Sequence, residues 1–161
     1  VLSLVGADGK VFNSTQAKQL ANFVVIYSPI QMAADLPENY EKYPAAFKFI
    51  RDVPTDWADT RVIHGVIGKF ATIARKDRHS PDWYVGAVTD DQGRTLPLKL
   101  DFLDQGKRYT AEIYRDGDKA DYRTARRFDL VVETKTVTAK DVLQLRLAPG
   151  GGQAIRLVPQ L

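Results

Sequence analysis

The 161-residue sequence predicts a mainly β protein, an antiparallel β-sandwich of about eight strands preceded by an N-terminal helical segment. From Arg61 onward, short segments of Val, Ile, Thr and Tyr alternate with Gly-, Asp- and Pro-containing turns, at roughly the 8–12 residue spacing of sandwiches. Within them Leu96, Leu98, Leu100 and Phe102 alternate with Pro97, Lys99 and Asp101, a period of two that buries one face and wets the other. Before Asp59 the grammar differs, with apolar residues recurring at helical spacing.

Residues 1–12 read as irregular, with an Asp8-Gly9 turn between two short apolar pieces. A helix is expected over about 14–36. Asn13 would cap it and Gln16, three positions on, would close a capping box. Ala17, Leu20, Ala21, Val24 and Tyr27 follow at near-helical spacing, and Phe23 and Ile26 fill the other face. The β-branched run Val24-Val25-Ile26 would equally suit a buried strand; length and capping favour helix. Pro29 kinks or breaks it, and Ile30 to Asp35 resumes helical composition until Pro37. Pro44 suits the first position of a second helix over about 44–52, and Asp52–Trp57 is a proline-interrupted connector.

Strands are expected at Arg61–Ile67, Phe70–Asp77, Trp83–Thr89, Arg94–Phe102, Arg108–Arg115, Phe128–Glu133, Val142–Ala148 and Ala154–Val158. The turns between them include Asp91-Gln92-Gly93, Gln105-Gly106, Asp116-Gly117 and Pro149-Gly150-Gly151-Gly152. The stretch Leu20–Tyr27 is apolar around most of its circumference, and no other helix in the sequence is long enough to wrap it. Such a helix needs cover on more than one face, which points to a larger protein.

Composition narrows the function classes. The 23 basic and 20 acidic side chains leave a formal charge of +3, a mixed surface unlike the one-sided field of a nucleic-acid binder. Zero cysteines exclude disulfides and thiolate metal sites. No apolar run approaches the roughly 20 residues that span a bilayer, and Val1-Leu2-Ser3-Leu4 lacks the basic stretch of a signal peptide.

Few residues suggest chemistry. His64 and His79 are the two histidines, and Ser14, Ser28 and Ser80 stand outside any Gly-x-Ser-x-Gly context, which argues against a catalytic triad. Asp116, Asp118 and Asp121 resemble the start of a calcium loop, but Ala120 replaces an oxygen ligand and no twelfth-position glutamate follows, so a solvated hairpin turn is the better reading. Arg123, Arg126 and Arg127 are flanked by Asp121 and Asp129 and read as a solvated face. Asp52, Asp56 and Asp59 surround Trp57, and sugar sites combine carboxylates with aromatic platforms; Asp56 and Trp57 are therefore the candidate substrate contacts, with packing of Trp57 between the two parts as the alternative.

Several longer motifs follow one another: Thr15-Gln16-Ala17-Lys18-Gln19-Leu20-Ala21, Tyr27-Ser28-Pro29-Ile30-Gln31-Met32-Ala33-Ala34-Asp35-Leu36-Pro37-Glu38-Asn39-Tyr40, Phe49-Ile50-Arg51-Asp52-Val53-Pro54-Thr55-Asp56-Trp57, Ile73-Ala74-Arg75-Lys76, Trp83-Tyr84-Val85-Gly86 and Leu147-Ala148-Pro149-Gly150-Gly151-Gly152. In this order the chain from about Asn13 to Leu157 resembles the C-terminal end of glycoside hydrolase family 97, the bacterial α-glucosidases and α-galactosidases. The resemblance implies a parent with an N-terminal β-sandwich, a central (β/α)8 barrel and a C-terminal β-sandwich. Residues 1–58 would then be the C-terminal remnant of the barrel, including its last helix, and 59–161 the sandwich.

The resemblance also implies that the catalytic carboxylates and the glutamate ligands of a calcium ion lie upstream, so no catalytic or metal-binding residue is assigned here. The expected partners are the upstream barrel and N-terminal domain of the same polypeptide, with carbohydrate reached through the parent. A bacterial periplasmic setting follows by the same analogy. The sandwich would support the barrel and oligomerisation. The alternative is an α-glucan-binding module using Trp83, Tyr84, Tyr109 and Tyr114, and self-association through an uncovered barrel helix is a further expectation.

Overall fold

The computed structural model describes residues 1–160; Leu161, the last residue of the expected 59–161 sandwich, lies outside the described residues. Three helices, α1 (Gln16–Val25), α2 (Pro37–Glu41) and α3 (Pro44–Asp52), precede strands β1 (Trp57–Val66), β2 (Phe70–Asp77), β3 (Trp83–Thr89), β4 (Arg94–Lys99), β5 (Arg108–Asp116), β6 (Leu130–Thr138), β7 (Val142–Leu147) and β8 (Gly152–Pro159). The strands form a six-stranded sheet in the order β1-β2-β3-β8-β5-β6 and a two-stranded sheet of β4 and β7, and every pairing is antiparallel.

Alternation along β3 explains why its sequence is an almost continuous apolar run. Trp83, Val85 and Ala87 face the two-stranded sheet and build the inner core with Leu98, Leu100, Tyr109, Ile113, Leu145, Leu147, Ile155 and Leu157. Tyr84 points the other way, into an outer core with Leu20, Ala21, Val24, Phe49, Trp57, Tyr114 and Ala154. Strands buried on both faces lose the one-sided alternation that β4 and β7 retain. The result is three layers: helices, six strands, two strands.

The structure corrects several expectations. The helix of 14–36 ends at Val25, and Ile26 is already extended (φ −89°, ψ 111°). The β-branched run and the bias of the residue before Pro29 away from helix stop it, and helix does not resume before Pro37. Its N-cap is Thr15, whose hydroxyl accepts from the Lys18 N–H at 3.3 Å, and Gln16 turns away to donate to the Leu2 carbonyl at 3.0 Å. Pro37 starts the short α2 by occupying its first position.

Strand bounds shift as well. β1 begins at Trp57, which pairs with Asp77 ahead of a register shift before Asp59. β4 stops at Lys99, while β6 runs on to Thr138 because edge pairing with β5 continues after the apolar alternation fades.

The apolar helix has its cover within this chain. α1 lies against β3 and β8, where Gly86 and Gly152 leave room for its backbone: a Cβ on Gly86 would meet the Ala21 carbonyl oxygen at 2.6 Å, and one on Gly152 would meet the Lys18 Cα at 2.7 Å. Leu2 and Phe49 close its remaining sides, and no residue from Ser14 to Val25 is fully exposed. Self-association through a bare α1 therefore loses its basis.

Candidate functional site

The helical layer is fixed to the sheet by two polar devices. The first is Arg75 on β2. Its Nε donates to the Val24 carbonyl at 2.6 Å, Nη2 reaches the Val25 carbonyl at 3.5 Å and Nη1 donates to Thr60 at 2.8 Å. The guanidinium also stands over the rings of Tyr27 and Trp57 at 5.6 and 5.9 Å. The orphan carbonyls at the end of α1 are thus satisfied by a cation, the charge that a helix C-terminus favours.

The second device joins α3 to the sheet centre. Arg156 on β8 donates to Asp82 at 2.8 Å and to Asp52 at 2.9 Å, and Lys48 bridges Asp52 at 2.5 Å and Glu112 at 3.2 Å. The hydrogen bond to Asp52 leads the effects that hold the Lys48 ammonium above its ordinary pKa. Tyr84 donates its hydroxyl to the Asp52 carbonyl at 2.9 Å, and burial pushes its phenol upward. Two cations thus bridge three carboxylates, and the arrangement is a clamp.

The residues singled out from sequence fall in different places. Trp57 is 7% exposed and packs edge-on against Tyr84 at 5.7 Å, so its indole is part of the outer core. Asp56 is exposed and pairs with Arg78 at 2.8 Å, with His79 Nε2 3.2 Å away. Trp83, Tyr84, Tyr109 and Tyr114 are all buried, so none presents a platform to a glucan. Trp83 and Tyr84 occupy opposite faces, as their adjacent strand positions require.

The aspartate series is split by the fold. Asp116 is buried at the end of β5, where its Oδ2 accepts the N–H groups of Ala148 and Gly152, each at 2.9 Å. Burial pushes its carboxyl up, and a Cβ on Gly151 would collide with the same oxygen. Asp118 faces solvent beside Arg115, and Asp121 accepts the Arg123 N–H in a local turn. Asp116 and Asp118 line a polar cleft of about 420 Å³ with Arg94 and Arg146, but Asp116 is occupied in holding the β7–β8 turn. Among the described residues, no three His, Asp or Glu side chains converge as metal ligands. The calcium implied by the family resemblance therefore finds no fitting donor set in them.

Arg126 pairs with Asp129 at 3.0 Å, Arg123 lies 3.4 Å from Asp121, and Arg127 donates to the Phe12 carbonyl at 3.0 Å. These local ties leave no gathered basic patch in that stretch. Among the described residues, no helix is long and apolar enough to cross a membrane.

Sequence reasoning missed Arg75 and Asp35, whose roles depend on partners far along the chain. Asp35 accepts from the Ser3 N–H at 2.8 Å and from Asn39 at 2.6 Å. Burial alone would raise its pKa, but these bonds and one from the Leu36 N–H hold it at about 2. Beyond Arg75's clamp lies a segment, residues 26–36, outside any helix or strand, with Asp35 near its end. It exposes Ile26, Tyr27, Ile30, Met32 and Leu36.

The layers define the class: a β-sandwich with a helical layer packed on its six-stranded sheet. A family profile described as "Glycosyl-hydrolase 97 C-terminal, oligomerisation" matches residues 56–158, and the chain belongs to glycoside hydrolase family 97. Among curated relatives, a retaining alpha-galactosidase of Bacteroides thetaiotaomicron is 36% identical over 143 residues, covering 89% of this chain and 21% of its own length. Among solved structures, a family 97 enzyme from Pseudoalteromonas sp. strain K8 in complex with panose is 49% identical and superposes with a TM-score of 0.94, covering 100% of this chain and 26% of that one. The same organism's enzyme in complex with acarbose is 51% identical, with a TM-score of 0.91 over 98% of this chain and 24% of that one. A beta-arabinopyranosidase is 28% identical, with a TM-score of 0.72 over 92% of this chain and 22% of that one. The chain thus spans about a fifth of the curated relative's length, at 21%, and about a quarter of the panose-bound enzyme, at 26%.

Proposed function

We propose that this chain is the C-terminal unit of a glycoside hydrolase that cleaves α-glycosidic bonds, with the catalytic groups in the N-terminal remainder. The unit braces that remainder and supports oligomerisation. The observation carrying this reading is the match of the entire chain, at 49% identity and TM-score 0.94, to 26% of an enzyme solved in complex with panose, together with a family profile described as C-terminal. The α-galactosidase name of a curated relative and the oligomerisation description of the profile support it. The interior of the sandwich supports it too: its aromatics are spent on packing and its half-buried carboxylates on Arg and Lys. A calcium requirement, where the full-length enzyme has one, belongs with the N-terminal remainder, and a periplasmic location is part of the same proposal.

The test uses full-length protein with panose and with an aryl α-galactoside. Hydrolysis of either supports the reading, and folded enzyme that releases product from neither overturns it. Residues 1–161 alone are expected to turn over neither; a rate equal to that of the full-length enzyme would overturn the assignment of chemistry to the remainder.

A further inference from the structure

We infer that β6 is the strand through which this unit joins a second copy of itself, the β6 strands of both copies pairing antiparallel about a two-fold axis at Thr134 so that their six-stranded sheets run on as one. The inference rests on the reading that the unit supports oligomerisation, and it names the surface and the register.

Strand order leaves β1 and β6 as the edges of the large sheet, and they differ in readiness to pair. β1 is bent by register shifts between Trp57 and Asp59 and between Val62 and His64, irregularities that blunt an edge. In the small sheet β4 carries Pro97, which has no N–H, and β7 gives the Arg146 N–H to the Gln153 side chain at 3.2 Å. β6, by contrast, runs through nine residues in one unbroken register with β5.

The outward groups of that edge follow from the register. The Gly117 N–H donates to the Asp129 carbonyl at 2.8 Å one step before the ladder, and antiparallel bonding alternates from there. Val131, Glu133, Lys135 and Val137 therefore bond to β5, while Val132, Thr134 and Thr136 direct N–H and C=O outward. All three of the latter are exposed.

Side chains select the partner and the register. With Thr134 opposite its own counterpart, Glu133 faces Lys135, Val132 faces Thr136 and Val131 faces Val137 across the axis, so opposite charges meet and β-branched side chains meet. Moving the axis by one residue sets Glu133 against Glu133 or Lys135 against Lys135, like charges directly opposite. A strand that complements itself in one register fits the isologous contact of a two-fold dimer. The profile whose description includes oligomerisation spans residues 56–158, and β6 lies within it.

Sedimentation of the full-length enzyme at low salt and micromolar concentration tests this. The wild type is expected to self-associate. Glu133→Lys leaves two cations on the edge and Lys135→Glu leaves two carboxylates; each variant alone should raise the dissociation constant at least about tenfold. An equimolar mixture of the two should re-form the dimer, because every charge then faces its opposite. Thr134→Pro removes an outward N–H at an edge position, and it should dissociate the dimer with the fold retained in circular dichroism. A wild type that oligomerises while all three variants do so equally well overturns the inference alone, as does a mixture that stays dissociated. A monomeric wild type overturns it together with the oligomerisation reading, and absent glycoside hydrolysis by the wild type would strike the catalytic reading without touching the sedimentation result.

Discussion

Arg75 Nε lies 2.6 Å from the carbonyl oxygen of Val24, so the sheet itself caps the C-terminus of α1. A guanidinium that also spans Tyr27 and Trp57 couples the helix end, the segment beyond it and the first strand through one side chain. Arg75→Ala is expected to cost about 2–4 kcal/mol, since it orphans two helix carbonyls and removes charge-assisted bonds. Arg75→Lys should recover little of this, because a point charge cannot reproduce the planar fork. Urea unfolding reads both, and variants within error of wild type would contradict the clamp.

Gly86→Ala should destabilise by about 1–3 kcal/mol, because the new methyl would press on the Ala21 carbonyl at 2.6 Å and the Val24 Cβ at 2.9 Å. Gly65→Ala is the matched control: its nearest neighbour, a Val62 methyl, is 3.7 Å away. Thermal melts of the two variants should therefore separate, with only Gly86→Ala shifted downward.

The Asp35 carboxyl is held below its ordinary value, which fixes the sign of its pH effect. Its stabilisation is fully present above the unfolded-state pKa of about 4 and is lost as pH falls toward the folded-state value of about 2. Acid titration followed by exchange at the Ser3 amide should show release of the N-terminal segment in that window. In Asp35→Asn the acid-induced step should vanish.

Trp57→Ala is expected to cost about 3–5 kcal/mol as a large aromatic deletion from the outer core, and Trp57→Phe less. The comparison bears on the sugar-contact reading. A packing residue lowers the melting temperature of the full-length enzyme in proportion to the volume removed, whereas a subsite residue raises KM in a folded protein.

All eight strands were legible in sequence because β-branched clusters and Gly- or Asp-rich turns are local signals. The end of α1 was not, since Val24-Val25-Ile26 suits helix and strand alike and the side chain that caps its last carbonyls comes from 51 positions away. Asp116 shows the same limit. In sequence it belongs with Asp118 and Asp121, two and five residues on; in the fold its partners are Ala148 and Gly152, 32 and 36 residues away. Trp57 was readable as an aromatic beside acids, but only packing on Tyr84 turns it inward. The family was legible through long motifs; the exposure of the large apolar side chains of residues 26–36 was not, because it depends on the fold around them.

β8 sits in the middle of the six-stranded sheet, hydrogen-bonded to β3 on one side and β5 on the other. It is also the last of the described strands to leave the ribosome. Until it emerges, β1–β2–β3 and β5–β6 are separate partial sheets whose inner edges await the same missing neighbour, and α1 has only half of its seat. Closure of this unit is therefore a late event in its own synthesis, after the hairpins β1–β2 and β5–β6 have had time to form.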